Sequence, residues 1–223
     1  MTSKQGNIES VTLAGEAGGL EALLNLGAAD AKYAALVCHP HPLFGGSMHN
    51  KVVFAAAKVL NSFGYPVLRF NFRGVGTSAG EHDEGRGEVG DVRVGLDYLA
   101  ERFALPILFA GYSFGAAIGL RAAVAHTRVA GLVLIGTPVQ VDERHYSFEA
   151  LHASTLPKLM VSGTRDQFAT PEQLQEIFAH AAEPKKLVMV PETDHFFGGQ
   201  LEAVREALRG WVREVTGSAA ARA

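Results

Sequence analysis

The chain has one cysteine, Cys38, among 223 residues, which excludes an intrachain disulfide, a cysteine-rich zinc site and a Cys-x-x-Cys redox pair. It lies in the apolar run Ala34-Ala35-Leu36-Val37-Cys38, where a thiol stays protonated and acts as a small hydrophobe rather than a nucleophile. A large excess of charge of one sign is lacking as well. A net charge of −3 leaves no basic footprint for nucleic acid or an anionic membrane surface. No apolar run is long enough to span a bilayer, and Met1-Thr2-Ser3-Lys4-Gln5-Gly6-Asn7 lacks the apolar stretch of a signal peptide. The expected location is the cytoplasm and the expected partner a small molecule.

Repeats and linkers are missing too, while hydrophobic residues make up 48% of the chain, enough for a sizeable core. This predicts a single domain over residues 1–223 with a flexible tail at 216–223. Residues 7–13 and 20–26 alternate as strands around a glycine-rich segment, predicting an antiparallel hairpin with Gly18-Gly19 as its turn, at the sheet's edge. Further on, strands and helices alternate. Strands are expected at 33–38, 66–70, 106–110, 130–135, 157–162 and 185–190, with helices at 48–62, 88–103, 116–126, 171–181 and 199–215. Thr170 is a ready N-cap, with Pro171 at the first helical position. The predicted fold is α/β: about eight strands in a mostly parallel sheet, an antiparallel hairpin in front and helices on both faces. Such sheets bind ligands at the carboxyl ends of their strands.

The richest stretch is Ala110-Gly111-Tyr112-Ser113-Phe114-Gly115-Ala116. Ser113 stands in a G-x-S-x-G frame between an apolar strand and a helix-compatible run, so the frame has the context its chemistry needs. A strand turning sharply into a helix exposes the serine hydroxyl at a helix N-terminus, where free N–H groups favour developing negative charge. A serine nucleophile needs a base, and the base an orienting acid. Asp166 follows the strand at 157–162 and His195 follows the strand at 185–190, giving the chain order nucleophile, acid, histidine. Asp194 is adjacent to His195 and points elsewhere; Asp142 follows its strand only after a longer excursion. One oxyanion donor is expected from the N–H of Phe114. The second comes from the loop His39-Pro40-His41-Pro42-Leu43-Phe44-Gly45-Gly46-Ser47, where the prolines cannot donate. That leaves His41, Leu43 or Phe44; Leu43 is the choice, because Gly45-Gly46 lets the chain turn its amide toward Ser113, with His41 as the alternative.

A metal reading of His39, His41, His49 and His82 is disfavoured by the stiffness of His-Pro-His-Pro and the lack of a carboxylate at helical spacing. Arg73 and Glu88 are expected to brace loops, Arg73 reaching an acidic substrate only if it faces the cleft. The connection at 136–156 is too short for a cap domain. It leaves an open, apolar site lined by Leu43, Phe44, Tyr112, Phe114 and Phe196 or Phe197, suited to short acyl or aryl esters.

Cys38-His39-Pro40-His41-Pro42-Leu43-Phe44-Gly45-Gly46-Ser47-Met48-His49-Asn50-Lys51-Val52-Val53 and Arg69-Phe70-Asn71-Phe72-Arg73-Gly74-Val75-Gly76-Thr77-Ser78 resemble the small bacterial dienelactone hydrolase-like group of the α/β-hydrolase superfamily. The resemblance runs over nearly the whole chain. It implies a nucleophile at Ser113, an acid at Asp166, a base at His195, oxyanion donors from Leu43 and Phe114, and a cofactor-free carboxylesterase. Dienelactone hydrolases proper carry a cysteine nucleophile where this chain has Ser113, which favours ordinary ester hydrolysis over lactone opening. A thioesterase or peptidase would use the same three residues, whereas a non-catalytic binding protein has no need of an acid behind the histidine. A monomer or a homodimer is expected, the edge hairpin being available for pairing.

Overall fold

The computed structural model describes residues 8–141 and 144–217. Strands β1 (Ile8–Gly15), β2 (Gly18–Asn25), β3 (Ala34–Cys38), β4 (Val67–Phe70), β5 (Ile107–Tyr112), β6 (Val129–Ile135), β9 (Lys158–Gly163) and β10 (Lys185–Val190) form one eight-stranded sheet. Its order is β1-β2-β4-β3-β5-β6-β9-β10. From β4 onward every neighbouring pair is parallel, while β1 pairs antiparallel with β2 and β2 with β4.

The parallel strands are apolar on successive residues because both faces are covered. Leu36, Phe70 and Phe109 pack beneath α2 (Arg86–Phe103) and α3 (Phe114–Ala123). Ala35, Val37, Val67 and Leu108 pack beneath α1 (Lys51–Ser62) and α6 (Leu201–Thr216), which brings Trp211 and Leu208 onto that face. Each fully buried Leu, Val or Phe contributes about 1.5–3 kcal/mol. Among the described residues no helix is long and apolar enough to cross a membrane.

Local chemistry moved several boundaries. The hairpin turns at Glu16-Ala17, not at Gly18-Gly19: Gly15 faces Gly18 across the ladder, and the glycines already belong to β2. Gly18 has φ 118°, and a β-carbon there would lie 2.6 Å from the Ala79 side chain, so the residue is set by close packing beside the turn. Helix α1 starts at Lys51 rather than Met48, because the Asn50 side chain accepts the Val52 N–H and the Met48 N–H is taken by Asn71. Thr170 caps α5 (Pro171–His180) in a capping box with Gln173, as the sequence predicts. Helix α6 starts after Gly199, whose φ of 72° is left-handed. The expected tail lies largely outside the described residues, as does Asp142.

Among the described residues between β6 and β9, the regular elements are the two-stranded ribbon β7 (Gln140–Val141) with β8 (Arg144–His145) and the one-turn helix α4 (Ala150–Ala153). Val139 and Gln140 tie the ribbon's start to the Phe168 carbonyl. The strand ends on that side carry His39, Ser113, Asp166 and His195.

Candidate active site

Ser113 has φ 54° and ψ −122°, a conformation costing a non-glycine residue about 1–3 kcal/mol. The surroundings hold it there. Its N–H donates to the Ile135 carbonyl at 2.9 Å, and its own carbonyl accepts from Ala116 at 2.9 Å and Ala117 at 3.1 Å. The flanking glycines permit the turn: a β-carbon on Gly111 would lie 2.5 Å from the Gly115 carbonyl oxygen, and one on Gly115 2.5 Å from that of His39.

The Ser113 Oγ lies 2.9 Å from His195 Nε2, and His195 Nδ1 lies 2.9 and 3.0 Å from the two Asp166 carboxylate oxygens. All three residues are buried. Asp166 also accepts the Ser162 hydroxyl at 3.1 Å and the Phe168 N–H at 2.9 Å. An ionised Asp166 has only acceptors, so the proton between it and His195 resides on Nδ1, leaving the Nε2 lone pair for the serine proton. The Asp166 and His195 loops cross closely, since a β-carbon on Gly163 would lie 2.0 Å from the Thr193 carbonyl oxygen.

Tyr112 supports this loop in a way the sequence did not suggest. It lines the cavity, yet its hydroxyl donates to the His195 carbonyl at 3.0 Å and its ring stacks on the imidazole at 5.5 Å. Phe168 meets the same imidazole edge-on at 4.7 Å, and Gln167 accepts the His195 N–H at 3.3 Å. Ser162, a lone hydroxyl ending the apolar run Leu159-Met160-Val161, was a legible signal for a partner of the acid.

The structure brings the Phe114 amide beside Ser113 but does not bring that of Leu43. Phe114 is the first residue of α3, so its N–H has no intrahelical acceptor. The Leu43 N–H instead donates to His41 Nδ1 at 3.2 Å, and the Phe44 N–H to the His41 carbonyl at 3.2 Å. Residues 42–44 form a turn of 3-10 helix, in which the His41 side chain caps the Leu43 amide and the tight winding takes that of Phe44. Leu43 is 70% exposed and lines a neighbouring cavity rather than that of Ser113. The His41 N–H makes no hydrogen bond among the described residues.

The Ser113 cavity measures about 530 Å³, and Phe44, Phe168 and Phe196 line it together with Pro40, His41 and Val141. Phe44 and Phe196 are largely exposed at its mouth, whereas Phe114 and Phe197 are wholly buried. Arg73 faces inward, paired with Asp91 at 2.7 Å, and Glu88 accepts the N–H groups of Asp83 and Gly85, each at 2.9 Å.

His39 anchors the loop that carries His41. It is fully buried, donates through Nδ1 to the Pro40 carbonyl at 2.6 Å, and accepts the Phe72 N–H on Nε2 at 3.0 Å. Burial lowers its pKa from 6.5 to about 4. His41 is likewise lowered to about 4, first by burial and then by the neighbouring His82 and Arg144. A histidine that binds its proton more weakly when folded leaves stability intact above pH 6.5. Stability then falls as the pH drops from 6.5 to about 4, and the loss is constant below that. For His39 the loss amounts to about 3 kcal/mol. Urea unfolding at pH 7 and pH 4.5 should therefore show the natural protein losing about 2–3 kcal/mol more than His39→Asn. Equal losses in both would place the acid sensitivity elsewhere.

A family model described as an alpha/beta hydrolase domain matches residues 34–208. The chain is similar to an α/β serine hydrolase without lid from Xanthomonas campestris, at 36% identity over 93% of this chain and 94% of that one, with a TM-score of 0.82. An α/β serine hydrolase homologue from Coxiella burnetii is 35% identical, covers 93% of this chain and 96% of its own, and gives a TM-score of 0.81. An uncharacterised protein of Rickettsia prowazekii is 34% identical over 185 residues, which are 80% of this chain and 77% of that protein.

Proposed function

The chain belongs to the α/β-hydrolase family, and from that premise we propose that it cleaves carboxylic esters through Ser113, His195 and Asp166 by way of an acyl-enzyme. The reading rests above all on the unbroken hydrogen-bonded line from the Ser113 hydroxyl through His195 to Asp166, set at the wall of a cavity.

In the first half-reaction His195 Nε2 takes the Ser113 proton as Oγ attacks the ester carbonyl, and the charged imidazole is balanced by Asp166. The tetrahedral oxyanion is received by the amides of Phe114 and His41, in place of Leu43, whose N–H is engaged. His195 then returns its proton to the departing alcohol oxygen. Water deprotonated by His195 attacks the acyl-serine in the second half and releases the acid. Each oxyanion donor is worth about 3 kcal/mol of transition-state stabilisation.

Short acyl or aryl chains suit the apolar mouth formed by Phe44 and Phe196, with Val141 of the short ribbon beside it. A p-nitrophenyl ester series from acetate to palmitate tests this. The expected result is a maximum kcat/KM at chains of about two to six carbons with a fall of at least about tenfold at palmitate, each lost methylene contact being worth about 0.8 kcal/mol. A maximum at palmitate would refute the short-chain assignment, and inactivity on every ester would refute the esterase reading.

A further inference from the structure

The loop at 39–46 has little conformational freedom, and one buried side chain controls what is left of it. Proline rings lock φ at Pro40 and Pro42, and a residue before proline is held in extended backbone; His41, before Pro42, has φ −54° and ψ 125°. The His41 carbonyl accepts the Gly46 N–H at 3.0 Å and the Phe44 N–H at 3.2 Å. What stays soft is the tilt of the peptide between Pro40 and His41. There ψ at Pro40 and φ at His41 can change against each other, since extended backbone allows φ from about −60° to −160°.

A peptide unit is planar, with its C=O and N–H pointing in opposite directions, so whatever grips the Pro40 carbonyl aims the His41 N–H. That grip is His39. Its Nε2 accepts the Phe72 N–H at 3.0 Å, which puts the ring proton on Nδ1, and Nδ1 donates to the Pro40 carbonyl at 2.6 Å. The ring is wholly buried and lies edge-on against Phe72 at 4.7 Å, so it is a fixed point rather than a loose tether. Gly46 clears the space beside the carbonyl: a β-carbon there would lie 2.1 Å from the Pro40 oxygen. The His41 N–H at the other end of this peptide has no partner among the described residues. Pro40 and His41 line the Ser113 cavity, whereas His39 does not.

We propose that His39 is a positioning residue for ester cleavage: by holding the Pro40 carbonyl it turns the His41 N–H into the cavity as the second oxyanion donor. The same bond draws electron density toward the Pro40 oxygen and makes the His41 N–H a stronger donor. His39 touches no substrate and moves no proton in this role. As a statement about catalysis this rests on the esterase reading; as a statement about the direction of the amide it does not.

Two substitutions separate the two ring nitrogens. The amide nitrogen of asparagine is as many bonds from the backbone as Nδ1 and still donates to Pro40, whereas glutamine carries its amide oxygen out to the place of Nε2, accepting from Phe72 and giving up the Pro40 bond. Each variant loses one hydrogen bond in the same buried place, so their melting temperatures are expected to fall alike, and a purely structural role predicts equal losses of activity. For p-nitrophenyl butyrate, kcat is expected to fall about 100-fold in His39→Gln with KM nearly unchanged, and by no more than about fivefold in His39→Asn. Without substrate, the residual dipolar coupling of the His41 N–H reports the direction of that bond. It is expected to keep its natural value in His39→Asn and to change in His39→Gln. Equal kcat in the two variants overturns the proposal, and so does an unchanged coupling in His39→Gln. A natural protein inactive on every ester refutes the esterase reading alone, and the coupling still decides the direction of the amide.

Discussion

Replacing Ser113 with alanine is expected to lower kcat for p-nitrophenyl butyrate by about 10⁵-fold or more while the protein stays folded. The hydroxyl is the atom that bonds to carbon, and among the described residues its one hydrogen-bond partner is His195 Nε2, at 2.9 Å. Residual hydrolysis above the uncatalysed rate would come from the two amides and from binding. The fold is insulated from the change for a local reason. Although Ser113 sits at the N-cap of α3, its side chain makes no capping hydrogen bond, and alanine adopts the positive φ at a cost similar to that of serine. The melting temperature should therefore move by no more than about 3 °C, equivalent to about 1 kcal/mol in a chain of this size. Together the two readouts are decisive. A folded Ser113→Ala protein keeping more than about 1% of the natural rate removes the nucleophile from the scheme.

The second large effect is expected from Asp166→Asn, with kcat down about 10⁴-fold and KM nearly unchanged. Three donors converge on this carboxylate, and they decide which way an amide turns. The Phe168 N–H is a fixed backbone donor at 2.9 Å, so it claims the asparagine oxygen on the Oδ1 side. The NH₂ then lies on the Oδ2 side, facing His195 Nδ1 and the Ser162 hydroxyl. Ser162 can rotate to accept. The NH₂, at the 2.9 Å position against 3.0 Å for the oxygen, favours the tautomer with the His195 proton on Nε2, which aims N–H at the serine and leaves no lone pair to take the serine proton. The imidazole would remain in place, stacked on Tyr112 and bordered by Phe168, so substrate binding should survive. Steady-state kinetics separate the cases: a loss confined to KM, or a kcat within about tenfold of the natural value, would deny Asp166 its role behind the histidine.

Most of the fold was legible because it follows from local chemistry. Apolar runs of four to seven residues alternating with helical periodicity predict covered parallel strands, and the strands lie where those runs do. Thr170 and Pro171 announced the start of α5. The hairpin turn was misplaced because its glycines serve a contact with Ala79, remote in sequence, that only the folded chain presents. Helix α1 began late for a similar reason, the Met48 amide being claimed by Asn71 across the fold.

In the site, the sequence by itself determined the strand-to-helix turn at Ser113 and the positions of Asp166 and His195 just past strand ends. Each of these is a property of a short segment and its neighbours in the chain. The tertiary structure decided the partnerships. It committed the Leu43 amide to His41 and left the His41 amide without an acceptor among the described residues. It turned Tyr112 into a support for His195 and bound His39 to the Phe72 amide. Those outcomes depend on groups brought together from far apart in the chain, where hydrogen-bond donors and acceptors compete in three dimensions and periodicity carries no information about which pair wins.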